Sequence, residues 1–301
     1  MKVSPPERVA SLYKEYGMNA AHRGIRLLVA LSAVVLPLSA LAQDATYDIL
    51  VTNDDGIESP GIEVLAQHLR AVGRVVVVAP CGERSGSSMS VLLRNELVLR
   101  PFQREDGTTE HCVDATPAGA AMLALSTLAP DGGFDLVVSG INRGANVGTA
   151  SHMSGTVGAA MMGAFYGVPA IAVSLGARSM DFDYTARFVA EFAEQLKSRA
   201  PTPGIVFSIN VPQATEAENG GVVVAPMGGI HLSFAYEEVA GDTDERRFRP
   251  RIGFESGAPA GSDTEAFLND MVTITPLRFD WTAHDLVDEL RTWDLSHKPM
   301  R

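Results

Sequence analysis

Two adjacent carboxylates directly follow an apolar segment near residue 50. Ile49, Leu50 and Val51 are apolar without alternation, and after Thr52 the segment 53–56 reads Asn, Asp, Asp, Gly. Neighbouring anions repel each other, so either one carboxylate is protonated or a cation lies between them. Oxygen ligands favour Mg²⁺, Mn²⁺ or Ca²⁺ over softer metals. The alternative is an exposed acidic turn, because Asp and Gly are ordinary turn residues.

Further oxygen donors follow two other apolar segments. Ser85 comes after the segment 74–80, and Asn142 ends the segment 135–142. In open α/β sheets, ligands bind outside the carboxyl ends of the strands, so we expect both side chains to meet Asp54 and Asp55 there. Two carboxylates, a hydroxyl and an amide oxygen, completed by water, would form an open Mg²⁺ or Mn²⁺ site.

A separate group of residues is suited to phosphate. Ser154, Gly155 and Thr156 precede an apolar helical segment, where hydroxyls, unpaired backbone N–H groups and the positive end of the helix dipole come together. Ordinary helix capping is the alternative role for the two hydroxyls. The chain has no G-x-x-x-x-G-K-[ST] motif, no G-x-G-x-x-G after its first strand and no G-x-S-x-G motif at Ser154. A P-loop, a standard dinucleotide site and a hydrolase elbow are therefore excluded.

The elements that position these residues alternate between strand and helix. We predict strands over 47–52, 74–80, 91–100, 135–142, 169–174, 204–210 and 271–275, and helices over 59–69, 116–128, 157–166, 183–198 and 280–293. This alternation predicts an α/β fold with a doubly wound, mostly parallel, Rossmann-like sheet. Residues 226–260 interrupt the pattern with polar and aromatic residues, which predicts an extended arm that serves as a lid or an oligomer contact.

Composition narrows the class of protein. The chain has 301 residues, 46% of them hydrophobic, with a formal net charge of -12 and a pI near 5.0. The length and hydrophobic content are typical of a globular enzyme. Without a basic patch to displace phosphate counterions, we expect no nucleic-acid polymer as a partner.

The first 42 residues are typical of an export leader. Arg23 and Arg26 precede the apolar segment 27–38, and the cleavage pattern A-x-A occupies 40–42. About twelve apolar residues, interrupted by Pro37, are too few to span a bilayer comfortably. We therefore predict a signal peptide over 1–42, cleavage after Ala42, a mature domain over 43–301 without a stable membrane anchor, and a periplasmic or secreted location. A buried helix or a single membrane anchor is the alternative.

The two cysteines are Cys81 and Cys112. Export would permit a disulfide, but two cysteines in a chain of this length are no disulfide scaffold. We expect two partly buried free thiols, since sequence does not supply the Cα separation that a bridge requires.

Several segments, in this order, carry a family resemblance. They are 53–56 (NDDG) with 60–62 (PGI), 78–80 (VAP) with 84–86 (RSG), 138–142 (VSGIN) with Gly144 and Asn146, 154–157 (SGTV), 167–174 (GVPAIAVS), 209–212 (INVP), and 273–277 (TITPL) with 282–284 (TAH). Together they resemble the SurE survival-protein family over about residues 47–295. The resemblance implies a metal-dependent phosphatase of nucleoside monophosphates.

The resemblance also implies roles for individual residues. Those matching the family's ligands of one divalent metal per subunit, Mg²⁺ or Mn²⁺, are Asp54, Asp55, Ser85 and Asn142. Those matching its phosphate and substrate contacts are Asn53, Asn146, Ser154, Gly155 and Thr156. Asp54 or Asp55 would position or deprotonate the attacking water. The family further implies a homodimer or homotetramer in which the arm 226–260 and the C-terminal helix 280–295 are exchanged. For His284 it implies a structural contact with Asp280 rather than a catalytic role.

The sequence departs from the family pattern at a few places. The substituted positions are Met89, Cys81 with Gly82, Gly119 with Ala120, and Met162. The four metal positions are intact, so we expect the activity to be kept. The alternative is an exported nucleotide-binding protein with weak or lost phosphatase activity. The leader is a further departure, because the family is generally cytoplasmic.

Overall fold

The computed structural model describes residues 46–176, 181–199, 201, 203–229, 232–239, 245–254 and 257–293. The predicted leader and its cleavage site lie outside these residues. Eleven strands are described: β1 Asp48–Thr52, β2 Arg74–Pro80, β3 Leu99–Gln103, β4 Thr109–Val113, β5 Leu136–Arg143, β6 Ala170–Leu175, β7 Ile205–Val211, β8 Val222–Val224, β9 Leu232–Val239, β10 Arg247–Phe254 and β11 Val272–Arg278. Six α-helices accompany them: α1 Pro60–Leu69, α2 Pro117–Leu123, α3 Gly155–Phe165, α4 Asp183–Lys197, α5 Asp263–Leu268 and α6 His284–Leu290.

Nine of the described strands form one mixed sheet in the order β3-β4-β2-β1-β5-β6-β7-β11-β8. The six central strands from β4 to β7 run parallel, while β3 and β11 are each antiparallel to a neighbour. Along the chain, the sheet grows from β1 to β2 and β4 on one side and then from β5 onward on the other. This reversal puts the topological switch point between β1 and β5, which is where ligands bind in such sheets. The predicted doubly wound α/β fold is confirmed.

Both faces of the sheet are covered by helices. In β1, Ile49 and Val51 face the core beneath α1 and α4, and Leu50 faces the core beneath α2 and α3. All three side chains have no exposed surface. Burial on both faces explains why the strand is apolar without alternation.

Helix α3 is the most deeply enclosed helix described, with every residue from Gly155 to Ala164 buried. Its glycines allow this close packing. A Cβ at Gly158 would lie 2.0 Å from the carbonyl oxygen of Ser88, so only glycine lets the loop after β2 cross the helix at that point. The loop after β2 and the start of α3 are thereby held against each other.

One predicted strand is wrong. Residues 91–98 form no regular strand, and β3 begins only at Leu99. Val91 and Leu97 instead pack on the core formed by α2 and α3, so their hydrophobicity reflects contact with helices rather than strand pairing. The polar turn predicted before Thr109 is present between β3 and β4. The C-terminal helix is also shorter than predicted, spanning His284–Leu290.

The expectation of two free thiols is wrong as well. Cys81 and Cys112 form a disulfide, with their Cα atoms 4.8 Å apart. Strands β2 and β4 pair in a register that places Ala79 opposite Cys112, and the backbone N–H of Cys81 donates to Val113 O at 3.0 Å. This long-range pairing brings the two cysteines within bonding range.

The residues 226–260 contain a two-stranded antiparallel hairpin, β9 with β10, as an arm outside the main sheet. At its root, the buried carboxylate of Asp263 accepts hydrogen bonds from the backbone N–H groups of Gly148 at 3.0 Å and Gly228 at 2.9 Å. The arm is therefore tied to the loop that follows β5. None of the helices described here is both long enough and apolar enough to cross a membrane.

Candidate active site

The carboxyl end of β1 continues into a tight turn that presents the two predicted carboxylates. Asn53 closes this turn, because its Nδ2 donates to Gly56 O at 2.9 Å and its Oδ1 accepts from Gly56 N at 3.1 Å. Gly56 has a φ of +98°, which glycine adopts without strain. The amide of Asn53, a predicted substrate contact, is thus occupied by the turn.

Asp54 is the buried member of the pair, with 3% of its surface exposed. Its Oδ1 accepts a hydrogen bond of 2.5 Å from the hydroxyl of Thr156, at the start of α3. The pKa of Asp54 is raised from 3.8 to about 6, mainly by burial, with the charge of Asp55 adding to the rise and the Thr156 hydrogen bond opposing it. The carboxylate therefore lies where a cation would stabilise its charged form.

Asp55 is partly exposed and faces the end of β5. Its Oδ2 accepts from the backbone N–H of Arg143 at 3.2 Å. Burial raises the pKa of Asp55 and the charge of Glu83 adds to this rise, whereas the Arg143 backbone hydrogen bond and positive charge lower it. β1 and β5 are thus joined directly across the switch point.

The predicted oxygen donors Ser85 and Asn142 reach the same place from β2 and β5. The loop that carries Ser85 is anchored by the backbone N–H of Arg84, which donates to Asp54 O at 2.7 Å. Asn142 donates through Nδ2 to Gly144 O at 2.8 Å, which leaves its Oδ1 for a ligand. Ser85 and Asn142 line one pocket together with Asp54.

The predicted phosphate turn is the first turn of α3. Ser154 caps the helix, its Oγ accepting from Val157 N at 3.2 Å, and it also lines the pocket. A Cβ at Gly155 would lie 2.8 Å from the Cβ and 2.9 Å from the Oδ2 of Asp54, so any side chain there would fill the space beside the carboxylate. Thr156 is buried, and its hydroxyl donates to Asp54 rather than facing the pocket. The helix start and the carboxylate therefore form one unit.

Asn146 lies in the floor of the pocket and is held by a buried polar network. Its backbone N–H donates to Asn210 Oδ1 at 2.7 Å, and its Nδ2 donates to Ser174 Oγ at 2.8 Å. The hydroxyl of Ser151 donates to its carbonyl oxygen at 2.6 Å. These bonds fix the glycine-rich loop that follows β5 across the ends of β6 and β7.

The pocket has a volume of about 440 Å³ and joins two unlike walls. Of the predicted site residues, the polar wall holds Asp54, Ser85, Asn142, Asn146 and Ser154, whereas Asn53, Asp55, Gly155 and Thr156 lie behind it and do not line the pocket. The apolar wall comes partly from the arm and was not predicted as part of the site; its members are Met153, Leu232, Phe234, Ile252 and Phe267. Arg143, which sequence reasoning also missed, lies at the same pocket. Its position directly after the predicted ligand Asn142 was the available clue.

The residues present fit a hard divalent cation. Asp54 is a buried carboxylate with a raised pKa, Asp55 is its neighbour, and Ser85 and Asn142 offer neutral oxygens at the same pocket. Oxygen donors of this kind suit Mg²⁺ or Mn²⁺. Among the residues described, no group of three His, Cys, Asp or Glu side chains is placed to hold a metal ion without other ligands. A site of two carboxylates completed by a hydroxyl, an amide and water does not need such a cluster.

Met89, Gly119 and Met162, three of the positions that depart from the family pattern, do not line this pocket. Met162 is buried inside α3, and Gly119 lies in the first turn of α2, where its N–H donates to Thr116 Oγ1 at 3.1 Å. Met89 packs on the core between α2 and α3 and lines a separate cavity of about 150 Å³, which shares only Ser154 with the main pocket. These substitutions therefore leave the oxygen-donor group unchanged.

Fold and site together define a doubly wound α/β protein whose oxygen donors and helix N-terminus meet at the switch point. Comparison with known proteins gives the family. The model of the survival protein SurE family matches residues 49–233. The chain belongs to this family.

Individual relatives match this chain over most of its length and over nearly all of their own. A 5'-nucleotidase SurE from Rhodopirellula baltica is 36% identical over 250 residues, covering 82% of this chain and 98% of that protein. One from Chlorobium limicola is 34% identical over 253 residues, covering 82% and 96%. The crystal structure of the SurE protein from Aquifex aeolicus superposes with a TM-score of 0.71 at 30% identity, covering 81% of this chain and 98% of that one.

Proposed function

We propose that the protein is a metal-dependent phosphomonoesterase that hydrolyses nucleoside monophosphates to nucleoside and phosphate, in the class of 5'-nucleotidases. The observation that carries this proposal is the pocket itself, where an oxygen-donor group and the N-terminus of α3 face an apolar wall. An anionic phosphate suits the polar end, and a nucleoside suits the apolar end. Two relatives that cover most of this chain are named 5'-nucleotidases.

The four predicted ligands, Asp54, Asp55, Ser85 and Asn142, would hold one divalent metal per subunit, Mg²⁺ or Mn²⁺. When bound, the metal supplies positive charge that polarises the phosphate and lowers the pKa of a water molecule beside it. Asp54 is held in place by Thr156 and Asp55 by the Arg143 backbone, so both carboxylates are oriented before substrate binds.

The reaction is an in-line displacement at phosphorus. Oxygen of the attacking water forms a bond to phosphorus, its proton passes to Asp54 or Asp55, and the bond from phosphorus to the ribose oxygen breaks. The departing ribose oxygen then takes up a proton from that carboxyl group or from solvent water and leaves as the nucleoside hydroxyl. Asn146 and the N–H of Gly155, at the start of α3, hold phosphate oxygens during this step, which stabilises the charge that develops on them. His284 is bonded to Asp280 at 2.8 Å and does not line the pocket, so it has no part in this scheme.

The test is a panel of nucleoside monophosphates and p-nitrophenyl phosphate, assayed for phosphate release with Mn²⁺, with Mg²⁺ and with a chelator. We expect release that requires metal. Binding of nucleotides without release would favour the alternative, an exported nucleotide-binding protein that has lost turnover. If the protein neither binds nucleotides nor releases phosphate from them, the hydrolase proposal and the binding-protein alternative are both contradicted.

We also propose a homodimer or homotetramer that exchanges the arm and α6. Helix α6 has no buried residue, and Leu286, Leu290 and Trp293 are 48%, 42% and 55% exposed. On the arm, Tyr236 is 71% exposed. Apolar side chains exposed in this number are typical of an association surface. Light scattering at micromolar concentration tests this proposal, and a monodisperse monomer would refute it.

We further propose export to the periplasm or the exterior, with cleavage after Ala42. The composition of the first 42 residues supports the proposal. The disulfide between Cys81 and Cys112 supports it too, because disulfides persist mainly in oxidising compartments. N-terminal sequencing of the native protein together with cell fractionation tests it. An uncleaved chain in the cytosol, where this family generally works, would overturn it.

A further inference from the structure

Arg143 places a cationic side chain at the pocket from the carboxyl end of β5. Its backbone is fixed, because its N–H donates to Asp55 Oδ2 at 3.2 Å and it pairs with Leu175 of β6. The side chain lines the pocket, the residue is exposed, and its charge lowers the pKa of Asp55. The guanidinium is therefore close to the oxygen-donor group without being buried by it.

This guanidinium is also unengaged. Within the described part of the chain, no ion pair or hydrogen bond of the Arg143 side chain is found. Arg84, on the facing loop, is by contrast bound to Asp114 at 3.0 Å. Among the described residues that line the pocket, Arg143 is the one basic residue. In a protein of net charge -12, a free cation at this position is available to an anionic ligand.

We propose that Arg143 is a substrate-binding residue that contacts the phosphate group of the substrate directly. Guanidinium groups bind phosphate oxygens with two parallel N–H bonds, and such charge-assisted bonds are stronger than neutral ones. The phosphate at the N-terminus of α3 would be held on one side by the helix start and on the other by Arg143. This contact rests on the proposed function, because it concerns the same site and the same phosphate.

Arg143 neither forms nor breaks a covalent bond in the reaction. Its N–H groups hold non-bridging oxygens while water adds to phosphorus and the ribose oxygen departs, and the guanidinium keeps its proton throughout. A cation here also reduces the repulsion between an incoming phosphate dianion and the pair Asp54 and Asp55. The residue therefore acts on both binding and turnover of anionic substrates.

The test compares Arg143→Gln and Arg143→Lys with wild type and with Arg187→Gln. Arg187 is an exposed arginine on α4, paired with Glu216 at 3.0 Å, and its loss controls for a change in net charge. Calorimetry measures the affinity for Mn²⁺ alone and then for inorganic phosphate at saturating Mn²⁺. Steady-state kinetics with a nucleoside monophosphate and thermal melting complete the set.

We expect Arg143→Gln to weaken phosphate binding and lower kcat/KM by about 10- to 100-fold, the range for losing a charged hydrogen bond. Arg143→Lys should recover part of this loss. Affinity for Mn²⁺ should stay level or rise, since a neighbouring cation has been removed, and thermal melting should be unchanged.

Two results would overturn the contact. One is unchanged phosphate affinity in Arg143→Gln, and the other is a loss of Mn²⁺ affinity or of stability that accounts for the whole effect. A different result would contradict the proposed function. If wild type binds phosphate through Arg143 but releases none from nucleotides, the contact stands and the hydrolase assignment falls.

Discussion

Replacing Asp54 by Asn should stabilise the metal-free protein while abolishing its response to metal. The carboxylate is 3% exposed, its pKa is raised to about 6 by burial, and a second carboxylate follows it. At neutral pH the folded state must carry a desolvated charge that the unfolded state exposes to water. Asparagine keeps an oxygen for the Thr156 hydroxyl and removes that charge.

The pKa rise of Asp54 from 3.8 to about 6 sets the magnitude. It corresponds to at most ~3 kcal/mol of unfolding free energy in metal-free protein. The sign follows from proton binding: the folded state binds the proton more tightly, so wild type loses this stability as pH rises from about 4 through about 6. The Asp54→Asn variant does not lose stability over this pH range. Its unfolding free energy should exceed that of wild type most above about pH 6, and the difference should vanish below about pH 4.

The assay is thermal unfolding of both proteins at several pH values with chelator present and then with Mn²⁺. With chelator above about pH 6, the variant should melt about 5 °C higher. With Mn²⁺ at a hundred times its dissociation constant, wild type should gain about 2.7 kcal/mol and the variant almost nothing. A variant less stable than wild type without metal at neutral pH would refute the electrostatic reasoning. A variant that kept near wild-type turnover at saturating Mn²⁺ would refute the metal site.

Three other predictions follow from the geometry. Gly155→Ala should lower metal affinity and activity at least ~10-fold in a metal titration, because its Cβ would lie 2.9 Å from Asp54 Oδ2. The control is Gly82→Ala, whose Cβ would have no atom within 4 Å and which should behave as wild type. Reducing the disulfide should cost about 3–4 kcal/mol of unfolding free energy, measured by denaturation with and without dithiothreitol, and no change would contradict a cross-link. Arg104→Met should cost about 3–5 kcal/mol of unfolding free energy in the same denaturation experiment, because it removes the ion pair with Glu110 at 2.7 Å. Glu110 is 2% exposed and would keep only its longer contact with Arg70, at 3.5 Å. A loss below about 1 kcal/mol would refute this.

The central sheet, and the edge of it that carries the candidate metal ligands, were predictable because their determinants are local. A strand buried on both faces must be apolar, and the polar residues that end it stand out, as Asp54, Asp55 and Asn142 do. Once parallel strands are inferred, their carboxyl ends meet at one edge, and the switch-point rule gives the location. The convergence of Ser85 and Asn142 with Asp54 at one pocket was thus available from sequence before any distance was known.

The apolar wall and Arg143 were not predictable in the same way. Phe234 and Ile252 lie opposite each other in the hairpin, and they are 48% and 59% exposed. From sequence, such residues in a polar arm indicate an oligomer contact as readily as a pocket wall. The placement depends on the root of the arm, where Asp263 bonds to Gly148 and Gly228, and no local pattern reports a contact across 115 residues.

The disulfide shows the same limit most clearly. Cys81 and Cys112 are 31 residues apart, and their meeting requires that β4 pair with β2 in one register. A shift of one residue would turn Cys112 to the opposite face of the sheet, so neither composition nor spacing decides the outcome. The register has a consequence for the site, because Cys81 is the first residue after β2 and the loop that carries Ser85 starts there. The cross-link and the Arg84 hydrogen bond to Asp54 hold that loop at two points, four residues or fewer from the predicted ligand.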